Sequence, residues 1–104
     1  MKLQDNAYCL HGYLPIGKER AVTIESLKRS TGFSRRTITD CMQYLRKIGI
    51  PVCSCNSQPG GYFIADNIDD LLQYIKRLEI IRQGITDNLD TMYDILLKSE
   101  TEGF

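Results

Sequence analysis

Apolar residues recur at helical spacing in the stretch from Ser34 to Ile50. Four of them share one face of an α-helix. They are Ile38, Met42, Leu45 and Ile48. Ser34 stands where its hydroxyl can cap the first turn, and Gly49 followed by Pro51 ends the pattern. The pattern predicts a helix over 34–48 that buries one face and carries two arginines in its first turn.

A second, shorter helical pattern precedes this one over residues 24–31, and Thr23 is suited to cap it. Gly32 can adopt the left-handed conformation that closes a helix, and Phe33 lies where it can pack between the two helices. Two short helices joined by a glycine-containing turn of three or four residues form a helix-turn-helix unit. The sequence therefore predicts such a unit here.

Extended patterns follow the helix-turn-helix unit. Residues 51–55 and 62–64 are short strand candidates, and turn-forming residues at 56–61 separate them. At the other end of the chain, residues 5–13 have loosely helical spacing and predict a short first helix, and residues 21–23 are suited to one short strand. A helix-turn-helix followed by a hairpin is the element order of a winged helix.

The last predicted element is a long helix with Asn67 as its N-cap. From residue 68 onward the apolar residues keep a heptad rhythm, and Arg82 is the single polar exception among the nine core positions from Ile68 to Leu96. We assign eight of these positions to a dimer interface. They are Leu71, Ile75, Leu78, Arg82, Ile85, Leu89, Met92 and Leu96.

The length of this helix bears on where its apolar face is buried. A helix over 68–99 is about 48 Å long at 1.5 Å per residue, whereas a compact domain of the preceding residues has a radius of gyration of only about 11 Å. The far half must meet another chain or fold back, and Gly84 with Thr86 as a cap is the place for a fold-back. The unbroken heptads favour one helix, which we expect to form a symmetric dimer or a larger bundle. Arg82 would then set the register or orientation.

Composition places the chain among globular proteins of about one domain. No apolar run approaches the roughly 20 residues of a membrane span, and the first 15 residues lack the apolar region of a signal peptide. We therefore expect a cytoplasmic protein. The net charge is zero, but residues 1–60 hold nine Lys/Arg and four Asp/Glu, whereas residues 61–104 hold four and nine. This asymmetry suggests a basic half that contacts a partner and an acidic half with another role.

The cysteines allow two interpretations. Cys9 with His11 and Cys53 with Cys55 supply four potential zinc ligands. The one-residue gaps do not match the C-x(2–4)-C spacing of structural zinc sites, which favours reduced, buried or half-buried thiols, including Cys41. We expect neither a metal nor another cofactor, and no small-molecule site is evident.

Three segments carry a resemblance to a known family: SLKRSTGFSRRTI, YLRKIGIPV and GGYFI. They resemble the winged helix-turn-helix of biotin-repressor-like regulators, in the branch found at the N-terminus of deoxyribose-operon-type and WYL-type repressors. The match covers about 40 of the 104 residues. It implies a mainly α fold with a small β-hairpin, in which a winged helix-turn-helix at 1–66 is followed by a long dimerisation helix at 67–104.

The resemblance also implies roles for individual residues. Ser34 would cap the recognition helix, and the side chains that follow it would face the major groove or its phosphates. Tyr62 and Ile64 would return from the wing to the core. Together with flanking cations and Gln43, which is able to contact adenine, the predicted DNA-binding residues are Lys28, Arg29, Ser34, Arg35, Arg36, Thr37, Thr39, Gln43, Arg46 and Lys47.

Two features depart from the family. Asp40 and Cys41 stand where the family usually has Arg-Asp, and the predicted wing at 56–61 contains no Lys or Arg. The large effector domain of these repressors is also absent from the sequence, and the long helix stands in its place.

These observations predict a small dimeric transcriptional regulator that binds double-stranded DNA sequence-specifically, with the helix over 34–48 in the major groove. The alternative is a protein–protein interaction adaptor that uses a winged-helix scaffold and an acidic, coiled-coil-like helix. Enzymatic activity is not expected, because the chain has one histidine, no phosphate-cradling glycine loop and no nucleophile–base motif.

Overall fold

The structure is a computed structural model that describes residues 2–56 and 60–102. Within them the helices are α1 (Lys2–His11), α2 (Ile24–Thr31), α3 (Arg35–Lys47) and α4 (Ile68–Glu102), and the strands are β1 (Val52–Cys55) and β2 (Gly61–Ile64). A 3₁₀ turn at Lys18–Arg20 lies between α1 and α2. The expected mainly helical architecture with a small antiparallel hairpin and a long C-terminal helix is confirmed. The first helix begins and ends earlier than the 5–13 that its spacing predicted.

Side-chain caps begin α2 and α3 where the sequence predicted them. Thr23 Oγ1 accepts a hydrogen bond from the amide of Ser26 at 3.1 Å. Ser34 Oγ accepts one from the amide of Thr37 at 3.2 Å. Each bond satisfies one of the amides that a helix start leaves without an intrahelical partner, so these residues fix the starts of both helices.

The turn between α2 and α3 is three residues long. Gly32 has φ 75°, the left-handed conformation, and its amide donates to the carbonyl of Lys28 at 2.8 Å. The amide of Phe33 donates to Thr31 Oγ1 at 3.1 Å, and its ring packs, partly buried, against the core. The turn therefore ends α2 and directs the chain into the cap of α3.

The main core lies among the first three helices and the base of the hairpin, with α1 and α2 both packed on α3. Its buried members are Ala7, Leu10, Leu14, Leu27, Ile38, Cys41, Met42, Leu45 and Val52. Three of the four predicted apolar positions of α3 are buried. The fourth prediction is wrong, because Ile48 caps the C-terminus of α3 and its side chain is 47% exposed.

The hairpin is antiparallel, and its register pairs Val52 with Ile64 and Cys53 with Phe63. Ile64 and its neighbour Tyr62 are half-buried against the main core, as expected. The sequence did not predict that Phe63, on the other face of β2, would be almost fully buried. The strands are therefore covered on both faces, which explains why they show little alternation of apolar and polar residues. Residues 57–59 of the predicted turn lie outside the described part of the chain.

The predicted strand at 21–23 is reduced to a single bridge. Val22 and Tyr62 exchange two backbone hydrogen bonds, of 3.0 and 2.7 Å, along the outer edge of β2. The approach is close because Gly61, which has φ 131°, has no side chain: a Cβ there would collide with the carbonyl of Val22. Gly61 thus permits the bridge that ties the loop before α2 to the hairpin.

The C-terminal helix α4 is uninterrupted from Ile68 to Glu102, so the chain does not fold back at Gly84. Its predicted cap is present, since Asn67 Oδ1 accepts from the amide of Asp70 at 2.8 Å. The chain divides into two compact units at residues 1–74 and 75–104, and the first unit includes the start of α4. Among the described residues, no helix combines the length and the apolar character needed to cross a membrane.

Candidate nucleic-acid interface

The side of α3 that faces away from the core is polar along its whole length. At 100° per residue, seven positions fall within one arc opposite the buried residues. They are Arg35, Arg36, Thr39, Asp40, Gln43, Arg46 and Lys47, and all except Arg46 are exposed. We call these seven residues the α3 outer face. The structure brings most of the predicted DNA-binding residues of α3 together on this surface.

The first turn of α3 combines exposed cations with a capped helix end. Arg35 and Arg36 are both exposed directly after the Ser34 cap. Thr37 lies outside the arc and is half-buried, and its hydroxyl accepts a hydrogen bond from Ser34 Oγ at 3.0 Å. Ser34 and Thr37 are therefore occupied with each other, whereas the two arginines project from the positive end of the helix dipole.

Glu25 links α2 to this turn, and the sequence-based prediction did not include it. Glu25 lies 3.7 Å from Lys28 Nζ and 3.7 Å from Arg35 Nη2. All three side chains are well exposed, so the pairs contribute little to stability. They do hold the Lys28 and Arg35 cations near each other, while Arg29 is exposed in the last turn of α2. The spacing of Glu25 and Lys28 by three residues within a helix was the available indication.

Farther along the outer face the character is mixed. The Thr39 hydroxyl donates to the carbonyl of Arg35 at 3.0 Å, which leaves its oxygen as an acceptor. Asp40, Gln43 and Lys47 line a shallow depression of about 170 Å³ together with residues of α1 and α3. This volume is below the roughly 300–1,000 Å³ of typical ligand pockets, so we treat the depression as part of a surface.

Arg46 has a different environment from the one the sequence suggested. Its Nε donates to the carbonyl of Val52 at 2.7 Å, and its guanidinium lies 5.4 Å from the ring centroid of Tyr74. The Arg46 side chain thus connects α3, the hairpin and the start of α4, and these contacts do not test its predicted contact with a DNA backbone. Lys18, in the 3₁₀ turn before α2, also contacts the start of α4, since its Nζ donates to Gln73 Oε1 at 2.8 Å.

The thiols do not form a metal site in the described residues, where no three His, Cys, Asp or Glu side chains are grouped to hold an ion. Burial raises the pKa of Cys41, and nearby Asp40 and Cys9 raise it further. Burial also raises the pKa of Cys53, with Asp70 adding to the shift and Arg46 and the amide of Ala65 opposing it. Both groups therefore favour the thiol form, which is a poor metal ligand.

The predicted dimer interface is a row of exposed apolar side chains on α4. We call Ile75, Leu78, Arg82, Ile85, Leu89, Met92 and Leu96 the α4 seam. Its six apolar members are between 41% and 58% exposed, while Leu71, which belongs to the first unit, is half-buried. Arg82 Nη2 lies 3.9 Å from Glu79 Oε2 at the surface. Apolar rows of this length mark interaction sites in proteins.

Comparisons with known proteins assign this chain to no family. No family model matches the chain, and neither a curated protein nor a solved structure matches it.

Proposed function

We propose that this chain is a sequence-specific double-stranded DNA-binding protein that acts as a small dimeric transcriptional regulator. The observation that carries the proposal is the α3 outer face, a polar surface whose first turn presents Arg35 and Arg36 at a capped helix start. Phosphate groups bind well at such a helix start, because the free backbone amides, the helix dipole and the two arginine side chains all attract anions.

We further propose that the first unit is a winged helix-turn-helix. In support, an eight-residue and a thirteen-residue helix are joined by a three-residue turn with a left-handed glycine, and an antiparallel hairpin follows. In proteins of this kind the second helix of the pair enters the major groove. Here that helix is α3.

With α3 in the major groove, some residues contact phosphates and others contact bases. Arg35, Arg36 and Lys47 contact phosphates, and Lys28 and Arg29 of α2 contact the flanking backbone. Bases are read by Thr39 and Gln43. A glutamine can donate to and accept from adenine, and the methyl group of a threonine can contact thymine. Arg46, whose Nε bonds to the hairpin and whose guanidinium lies over Tyr74 of α4, is assigned a role in positioning α3.

Dimerisation through the α4 seam is part of the proposal. One copy offers a short basic face, interrupted by Asp40, and two copies double the number of phosphate contacts. A two-fold symmetric protein binds a two-fold repeated site. A cytoplasmic location accords with four cysteines that form no disulfide, because thiols stay reduced there.

The test begins with selection of bound sequences from random duplex DNA, followed by affinity measurements on the selected site at several salt concentrations. We expect binding that weakens steeply with salt. Replacing Arg35→Ala and Arg36→Ala together should weaken binding and flatten the slope of log affinity against log salt by about 4, because the dimer loses two phosphate contacts in each copy. The matched control removes two lysines elsewhere, Lys2→Ala with Lys98→Ala, and should leave the slope nearly unchanged.

A wild type that selects no sequence and binds no duplex at low salt would refute the proposal. The alternative would then be a protein-interaction adaptor, which is favoured by the acid Asp40 on the α3 outer face and by the exposed apolar seam of α4.

A further inference from the structure

The charges of the second unit are separated along α4. Residues 75–86 carry three basic side chains and one acid, whereas residues 87–101 carry four acids and one lysine. The net charges of the two segments are therefore +2 and −3. If two copies of this helix paired in parallel, like charges would lie beside each other, and if they paired antiparallel, the basic segment of each would lie beside the acidic segment of the other.

Arg82 disfavours the parallel arrangement for a second reason. It occupies a core position of the seam, and in a parallel pair the two Arg82 side chains would face each other across the axis. In an antiparallel pair the residue opposite is an apolar one. With the centre near Asp87, Arg82 lies opposite Met92 of the second copy, beside the ring of its Tyr93, which offers an aromatic face to the cation.

The residues beside the seam select the same arrangement. In a parallel pair Ile81 would flank Thr86 of the second copy, and Ile95 would flank its Glu100. In an antiparallel pair centred near Asp87, Ile81 meets Ile95 and each Asn88 meets the other Asn88. Ile81 of each copy then contacts Ile95 of the other along one side of the seam.

The matching of apolar with apolar and polar with polar residues beside the seam also favours one register. A shift by one heptad in either direction would place Asn88 of one copy against Ile81 or Ile95 of the other. The centred register keeps the seam matched, with Ile85 opposite Leu89 and Leu78 opposite Leu96. It therefore places apolar side chains opposite each other at these layers and leaves both amides with a polar neighbour.

The surface of one copy already has a place for a side chain of the second. Ile75, Leu78, Glu79 and Arg82 line a depression of about 300 Å³. These are the four positions that form a hole in knobs-into-holes packing. In the centred antiparallel register, Leu96 of the second copy lies opposite Leu78 and enters this hole.

We propose that the occupant of the α4 seam is a second copy of the same helix, paired antiparallel and centred near Asp87. This inference rests on the dimer of the proposed function and adds its orientation and register. It makes no use of DNA binding, so the two can fail separately.

The test is a pair of distance measurements in the full-length chain. Cys9→Ser and Cys55→Ser remove the exposed and half-exposed thiols, while Cys41 and Cys53 are buried. A single spin label is then attached at Lys98→Cys or at Asp87→Cys, both on the side of α4 away from the seam, and the distance between the two copies is measured by pulsed electron resonance. Mass and helix content of each labelled protein are measured in parallel.

Antiparallel pairing predicts about 20 Å between labels at residue 87 and about 35–40 Å at residue 98, because the second pair is offset by about 33 Å along the axis. Arg82→Leu removes the facing arginines of the parallel form and should add a population near 20 Å at residue 98. A wild type with about 20 Å at both positions overturns the orientation, and a mass of four chains overturns the pairing of two helices. A monomer overturns the dimer as well, whereas intact distances without DNA binding overturn only the proposed function.

Discussion

Gly61 is the residue whose identity the backbone most strictly requires. Its φ of 131° and the adjacent carbonyl of Val22 leave no space for a side chain. We expect Gly61→Ala to lower the free energy of unfolding by about 2–3 kcal/mol or more, through backbone strain and loss of the Val22–Tyr62 bridge. Urea unfolding followed by circular dichroism measures this.

The control for Gly61→Ala is a glycine at a position that can accept a side chain. Gly84 lies inside α4 with no neighbouring atoms around a potential Cβ and no positive φ. Gly84→Ala should therefore raise helix stability by about 0.5–1 kcal/mol. Equal unfolding midpoints for Gly61→Ala and the wild type would contradict the assigned close approach.

Arg46 joins three elements through one guanidinium, and its role is open to a direct test. Arg46→Met keeps the aliphatic stem but removes the hydrogen bond to Val52 and the cation over Tyr74. We expect a loss of about 1–3 kcal/mol in unfolding free energy. Lys47→Met, an exposed neighbour, should change it by less than about 0.5 kcal/mol. Similar effects from both substitutions would mean that Arg46 is only a surface cation.

Residue roles were the hardest part to predict from sequence. Ile48 fits the helical spacing of α3, but the helix ends one residue earlier and leaves that side chain at the surface. Arg46 fits a basic outer face, but its Nε donates to the carbonyl of Val52 in the hairpin. No local sequence pattern indicates this contact. Phe63 is buried on the face of β2 opposite Tyr62 and Ile64, which the local sequence pattern does not indicate.

Elements were predicted well where their signals are local. The caps Thr23, Ser34 and Asn67 and the left-handed Gly32 each act through hydrogen bonds within four residues, so the sequence specifies them directly. The bridge at Val22 depends instead on a partner forty residues away. The candidate interface shows the same difference. The α3 outer face could be predicted from the spacing of residues along one helix, whereas the Glu25–Arg35 pair depends on how α2 packs against α3.

If the α4 seam is the dimer interface, a single charged substitution in it should strongly weaken the dimer. Leu89→Asp places a carboxylate in the seam, where pairing would bury it without a partner. We expect the dimer to dissociate at least about 100-fold more readily, measured by sedimentation over a range of concentrations. Thr91→Asp adds the same charge two residues on, away from the seam, and should leave the dimer nearly intact. A wild type that sediments as a monomer would refute the seam's proposed use.

The molecule as a whole has no net charge, so its affinity for DNA must come from where the cations lie and how many copies bind. Five cations per copy are assigned to phosphates: Lys28, Arg29, Arg35, Arg36 and Lys47. At about −0.9 per contact, one half-site should give a log–log salt slope of about −4 to −5, and a site with two half-sites about twice that. Leu89→Asp should show the smaller slope on both duplexes, because a monomer occupies half-sites independently. If wild type and Leu89→Asp have the same slope on the two-half-site duplex, dimerisation does not contribute to DNA binding.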